Sequence, residues 1–279
     1  MSVWMITGAA RGLGLEIARA ALAAGEQVAL AARRPETLPD DVRSHENVLP
    51  VRLDVTDEAQ VVFAVGEVVE RFGAIDVLVN NAGRGLLGAL EEITDAEARS
   101  LFDVNVFGLI NTTRAVLPVM RAAGHGKLIH IGSRSGFEGE PGVSMYSASK
   151  FAVAGISEAL AAELEPFGIQ SMVVEPGVFR TDFLDPSSVQ LPERRVAAYD
   201  GTPAHITLDW VGRANHTQLG DPVKGAAFIY VVASGAKLPL HLPVGQDALD
   251  RRIVMTERID REVAPLRDAS AGTAHDDSE

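Results

Sequence analysis

Thr7-Gly8-Ala9-Ala10-Arg11-Gly12-Leu13-Gly14 follows directly on the apolar run Val3-Trp4-Met5-Ile6 and opens into a stretch of helical period, 13–24. Glycines at a strand-to-helix turn let the backbone come close to a pyrophosphate, whose charge is favoured by the free N–H groups and dipole at the helix N-terminus. The same pattern also serves as a tight connection that binds nothing, so the rest of the chain has to decide between the two.

Outward from this turn, short runs rich in Val, Ile and Leu alternate with amphipathic stretches. The pattern predicts strands near 3–6, 27–32, 48–53, 75–80, 127–132, 169–175 and 239–244. Helices are expected near 13–24, 57–72, 95–122, 147–166 and 221–234, with Asp57 or Thr56 as an N-cap and Gly25 and Gly73 at C-termini. The strand runs are apolar almost throughout, as in Ile75-Asp76-Val77-Leu78-Val79, so helices are expected on both faces of a parallel sheet. The fold class is α/β in a single domain, about 1–265. Two regions break the rhythm. From Phe179 to Gly220 the chain reads as irregular and too long for a plain connection, which suggests a substrate lid. Ala248 to Val263 has helical period with many charges, and 266–279 reads as an unstructured tail.

Composition removes several classes of function. A net charge of −13 would repel nucleic-acid phosphates and anionic lipid, so neither is an expected partner. With no Cys there is no disulfide framework, thiolate metal site or cysteine nucleophile, and a cytoplasmic location is expected. No apolar run is long enough to span a membrane, and with the first strand starting so near Met1 no presequence is expected. No metal is expected, because neither HExxH nor a cluster of His and carboxylate ligands occurs; no G-x-S-x-G elbow supports a serine hydrolase.

Three further stretches carry chemistry: Asn80-Asn81-Ala82-Gly83 after the fourth strand, Ser133 after the fifth, and Tyr146-Ser147-Ala148-Ser149-Lys150 thirteen residues after Ser133. Tyr146 and Lys150 are four apart at a helix start and share a face, so the ammonium can favour the phenolate. Together with the TGxxxGxG turn, these motifs make the chain resemble the short-chain dehydrogenase/reductase family over about residues 1–235. The stretches around Glu175-Pro176-Gly177-Val178 and Leu242-Pro243-Val244-Gly245 look like its 17-beta-hydroxysteroid-dehydrogenase-like branch, a label that implies no steroid substrate.

The resemblance implies a Rossmann-type doubly wound seven-stranded sheet in the order 3-2-1-4-5-6-7. It also implies interconversion of a carbonyl and an alcohol, with Tyr146 as proton donor and acceptor, Lys150 on the phenol and the nicotinamide ribose, Ser133 on the substrate oxygen, and Asn105 in a proton relay to Lys150. Ser135 competes with Ser133, but the spacing to Tyr146 and the S-x-x-G pattern favour Ser133. Gly8, Arg11, Gly12, Leu13 and Gly14 would hold the pyrophosphate side, Asp54 and Val55 the adenine, Asn81, Ala82 and Gly83 the adenosine ribose side, and Pro176, Gly177, Val178 and Thr181 the nicotinamide end. Asn80 is expected to brace the central strands. A homodimer through the helices flanking the catalytic strand, or a homotetramer, is expected.

The end of the second strand speaks to cofactor choice. Where NAD-selective relatives place an acid stands Ala32, followed by Arg33 and Arg34, with Arg11 in the glycine turn, so guanidinium groups suit a 2'-phosphate and the expected cofactor is NADP(H). The other reading of these arginines is a solvated surface. Phe183, Leu184, Val189, Leu191, Tyr199, Ile206 and Trp210 give the lid an apolar character that fits a medium-sized hydrophobic carbonyl or alcohol substrate, or else they cover a core edge. His205 and His216 are expected on the lid surface or in lid hydrogen bonds. The alternative to an oxidoreductase is a catalytically silent NADP-binding regulatory protein.

Overall fold

The computed structural model describes residues 1–275. Seven strands form one parallel sheet: β1 (Val3–Thr7), β2 (Gln27–Ala32), β3 (Val48–Arg52), β4 (Val77–Asn80), β5 (Gly126–Ile131), β6 (Ile169–Pro176) and β7 (His241–Val244). Their order across the sheet is β3-β2-β1-β4-β5-β6-β7, so the chain leaves β1 to one side, returns, and continues on the other. That reversal opens a crevice at the carboxyl ends of β1 and β4, the usual place for a ligand in such sheets.

Period-two alternation sends successive side chains of β1 to opposite faces. Trp4 and Ile6 pack with Ile17, Ala18 and Ala21 of α1 (Gly12–Ala23) and with Ala226, Ile229 and Ala233 of the helix Pro222–Ser234. Val3 and Met5 pack on the other face with Val61, Ala64, Val65 and Val68 of α2 (Glu58–Phe72) and with Val116 and Met120 of a helix before β5. Trp4, Met5, Ile6, Leu30, Leu78, Leu128 and Ile129 are fully buried, each contributing roughly 1.5 to 3 kcal/mol of apolar burial. Asp57 caps α2 by accepting from Gln60 N at 3.0 Å.

All seven strands fall within two residues of their sequence-based positions, but three regions differ. The helix expected over 95–122 is divided into α3 (Asp95–Phe102), a π-turn (Asp103–Phe107) and α4 (Gly108–Ala123). The excursion from Phe179 to Gly220, closed at its base by a bridge between those two residues, is not irregular throughout. It carries Val189–Gln190, paired in parallel with Gly85–Leu86, and a helix, Pro203–Ala214. Pro203 reads as a breaker but occupies the first turn, where its missing N–H has no partner to lose. Finally, the expected tail from 266 begins as helix: the chain runs from Gln246–Val263 through a 3-10 turn into Arg267–Ala271, where Arg267, Ala269 and Ala271 have good helix propensity. The last part of that expected tail, 276–279, lies outside the described residues. No helix among the described residues is long and apolar enough to cross a membrane.

Candidate active site

A cleft of about 1480 Å³ runs along the carboxyl ends of the strands, from the glycine turn past Tyr146 to the excursion. Gly8 and Gly12 have φ of +65° and +60°, a region that L side chains rarely adopt. The N-terminus of α1 has no side-chain cap and no acidic residue in its first turn, so its backbone N–H groups remain available to an anion. Asn81 braces this turn: its Nδ2 donates to the carbonyls of Thr7 at 2.9 Å and Gly8 at 3.1 Å. The Thr7 hydroxyl accepts in return from the N–H groups of Asn81 and Ala82, both at 3.0 Å. Asn80 is buried and holds the central strands, donating to Thr113 Oγ1 at 2.9 Å and lying 3.2 Å from His130 Nδ1.

Ala32, Arg33, Arg34, Asp54, Val55, Ala82 and Leu13 all line the cleft. Asp54 accepts from Thr56 N and Oγ1 at 3.0 and 2.8 Å, which fixes the turn after β3. Arg33 and Arg34 are exposed. Arg11 is engaged elsewhere: its guanidinium donates to Ser187 Oγ at 2.7 Å, Ser187 O at 3.2 Å and Ser188 Oγ at 2.7 Å, tying the glycine turn to the excursion. Sequence reading placed Arg11 beside Arg33 because it could not see that partner.

The catalytic candidates converge at the middle of the cleft. Tyr146 and Lys150 lie in the first two turns of α5 (Ser144–Leu164), both buried. Burial pushes the Tyr146 phenol up to about 12; a hydrogen bond with Ser133 and the charge of Arg134 draw it down, and Glu140 pushes it up. Burial pulls the Lys150 ammonium down to about 8. Its Nζ donates to Ile131 O at 2.7 Å and stands 5.8 Å from the Tyr146 ring centroid. Ser133 opens the turn after β5, its Oγ accepting from Ser135 N at 3.1 Å. Ser135 is buried and its hydroxyl donates to Glu140 at 3.2 Å, which removes it from competition for the substrate oxygen.

Asn105 is aimed inward by the π-turn, where the extra residue shifts the helical register. Its Oδ1 accepts from Arg84 N and its Nδ2 donates to Arg84 O, both at 2.9 Å, with Ser149 Oγ at 3.1 Å. A Cβ on Gly83 would lie 3.3 Å from Asn105 Oδ1 and 3.7 Å from Lys150 Nζ, so Gly83 leaves open the space between them. At the far end Gly177 N donates to Val244 O at 2.8 Å, and Thr181 Oγ1 accepts from Phe183 N at 3.3 Å, with Pro176 and Val178 also on the cleft wall.

Of the apolar excursion residues, Phe183, Leu184, Val189, Ile206 and Trp210 line the cleft. Leu191 is exposed, and Tyr199 stacks on His205 at 5.9 Å, away from it. His205 is buried between Glu92 at 2.8 Å and Asp200 at 3.0 Å, and His216 lies 3.2 Å from Asp185. Both are thus hydrogen-bonded within the lid region, as expected. Arg84, Glu140, Ser187 and Ser188 on the cleft fall in the segments 84–87, 137–145 and 179–220 from which substrate specificity is expected; Arg134 and Asp247 were given no role by sequence reading, and Arg134, inside the S-x-x-G pattern, carried the plainer signal.

A doubly wound parallel sheet with an uncapped glycine turn at its switch point defines a dinucleotide-binding oxidoreductase fold. Residues 2–191 match the short chain dehydrogenase family, and the chain belongs to it. It is 39% identical over 250 residues to "Oxidoreductase BOA17" of Botryotinia fuckeliana, covering 89% of this chain and 90% of that one. Its structure is similar to a short-chain dehydrogenase from Streptomyces avermitilis, with TM-score 0.90 and 40% identity over 98% of this chain and 99% of that one. ElxO with NADP bound (TM-score 0.74, 28% identity, 89% and 99% covered) and a Burkholderia phymatum short-chain dehydrogenase/reductase in complex with NAD (0.80, 25%, 95% and 95%) are also similar.

Proposed function

We propose that this member of the family is an NADP(H)-dependent oxidoreductase that interconverts a carbonyl and a secondary alcohol, reducing a medium-sized hydrophobic ketone. The observation that carries this reading is one continuous cleft with the open glycine turn at one end and Tyr146, Ser133 and Lys150 beyond it. The chain fits a dinucleotide: the φ-positive glycines, the free N–H groups of α1 and the open face of Gly83 form a cradle that any Cβ would narrow.

When bound, the nicotinamide supplies or accepts the hydride at carbon. In reduction, the Ser133 and Tyr146 hydroxyls hold the substrate oxygen, and the Tyr146 Oη–H bond breaks as its proton passes to that oxygen. Burial keeps the phenol protonated at neutral pH, which suits it as the acid. In oxidation the phenolate is the base, with Arg134 and Lys150 supplying positive charge nearby. Asn105 and Lys150, on either side of Gly83, form the route along which the phenol is reprotonated. The apolar wall of Phe183, Leu184, Val189, Ile206 and Trp210 favours an apolar substrate.

The preference for NADP(H) rests on Ala32, which leaves no acid at the end of β2, and on exposed Arg33 and Arg34 in the cleft. We also propose a homodimer through α4 and α5, supported by Phe107, at the start of α4, and Phe151 on α5, 54% and 46% exposed; sedimentation tests it. Incubating the purified protein with NADPH and with NADH against a panel of hydrophobic ketones tests the function. Turnover with NADPH is expected, and cofactor binding with no turnover of any carbonyl or alcohol would reject it.

A further inference from the structure

Gly245 turns the chain out of β7 with φ +98°, and the helix Gln246–Val263 begins at once, placing Asp247 in its first turn. A carboxylate there is favoured by the helix dipole. Its Oδ2 accepts the N–H of Val178 at 2.9 Å and stands 3.4 Å from Arg134 Nη1. Its Oδ1 lies against Gly177, where any Cβ would overlap it. One carboxylate therefore touches the loop at the end of the cleft and the residue that follows Ser133.

The contacts continue along the wall. Arg134 reaches Glu140 at 3.1 Å, and Arg251, one turn beyond Asp247, reaches Glu140 at 3.0 Å and Glu138 at 2.6 Å. Arg134 is only 18% exposed, so these charges act across a partly buried wall where screening is weak.

We propose that Asp247 is a positioning residue of the active site, tying the Gly177–Val178 loop to Arg134 and setting the charge that Arg134 presents to the Tyr146 phenol. The inference rests on the carbonyl–alcohol reading above for its catalytic half. The charged groups facing the phenol are Arg134 and Glu140, with Lys150 at 5.8 Å from the ring. Arg134 favours the phenolate and Glu140 opposes it. Without the Asp247 charge, Arg134 is balanced by Glu140 alone and favours the phenolate more strongly.

Two variants separate the roles: Asp247→Asn keeps an oxygen for Val178 N–H and loses the charge, whereas Asp247→Ala loses both. NADPH affinity, read by fluorescence titration without turnover, should fall about tenfold in Asp247→Ala and stay near wild type in Asp247→Asn. In alcohol oxidation, the rise of kcat with pH should move to lower pH in both variants. Unchanged NADPH affinity in Asp247→Ala, or a kcat profile in Asp247→Asn that superimposes on wild type, overturns the proposal. A wild-type protein that binds NADPH and turns nothing over would instead reject the function proposed above, and the Asp247→Ala titration then decides this inference alone.

Discussion

Gly14 and Asn81 fit against each other with no room for a methyl group: a Cβ on Gly14 would collide with Asn81 Nδ2 and stand 2.9 Å from its Cγ. The same Nδ2 holds the carbonyls of Thr7 and Gly8, so the glycine turn and the loop after β4 are one rigid unit. Gly14→Ala should therefore displace Asn81 and lower stability by about 1 to 3 kcal/mol. Weaker NADPH binding should accompany it. Thermal melts and a binding titration check both effects; a variant that melts and binds like wild type would show that the contact is slack.

The proposed preference for NADP(H) makes a prediction at the end of β2. Each charge-assisted hydrogen bond to a 2'-phosphate contributes roughly 1.5 to 3 kcal/mol, so Arg33→Ala should raise the KM for NADPH about ten- to a hundredfold and leave that for NADH nearly unchanged. Ala32→Asp should shift preference toward NADH by repelling the phosphate. Steady-state kinetics with both cofactors measures this, and unchanged discrimination in Arg33→Ala would show that the exposed guanidinium is only solvated surface.

The excursion 179–220 is held to the glycine turn through Arg11 and Ser187–Ser188. If it covers the substrate, limited proteolysis should cut within it in the free protein and slow with NADPH and a substrate analogue. Arg11→Ala should speed the cutting of the free protein. Equal cutting under all conditions would mark the excursion as a fixed structural element.

Burial of Lys150 gives a pH signature of its own. With the folded pKa near 8 and the ordinary value 10.5, the unfolded chain binds more protons than the folded one between those values. Stability contributed at this site therefore rises with pH across that window, by at most about 3 to 4 kcal/mol. Compared with Lys150→Met, the wild-type protein should gain stability as pH rises from about 8 to 10.5 in urea titrations. A constant difference between the two would mean that the ammonium is not desolvated.

What was legible in the sequence was local. Apolar runs located the strands because both faces of the sheet are covered, and the four-residue spacing of Tyr146 and Lys150 put them on one helix face. What was hidden depends on partners distant in the chain. Arg11 and Ser187 are 176 residues apart, and Val178 and Asp247 are 69 apart, so no periodicity connects them. The π-turn at Asn105 was invisible because it shifts the register by one residue while the chain stays helical on both sides, up to Phe102 and on from Gly108. The Pro203 helix was missed for the opposite reason, a breaker placed where it starts a helix.

The most direct measurement of the central claim, that Tyr146 delivers the proton while the rest of the cleft binds the cofactor, is single-turnover stopped-flow with NADPH and a reactive ketone. Tyr146→Phe should bind NADPH within about twofold of wild type and lose at least about a hundredfold in the rate of hydride transfer, the scale of general acid catalysis. Hydride transfer at a near-normal rate in Tyr146→Phe would contradict the account.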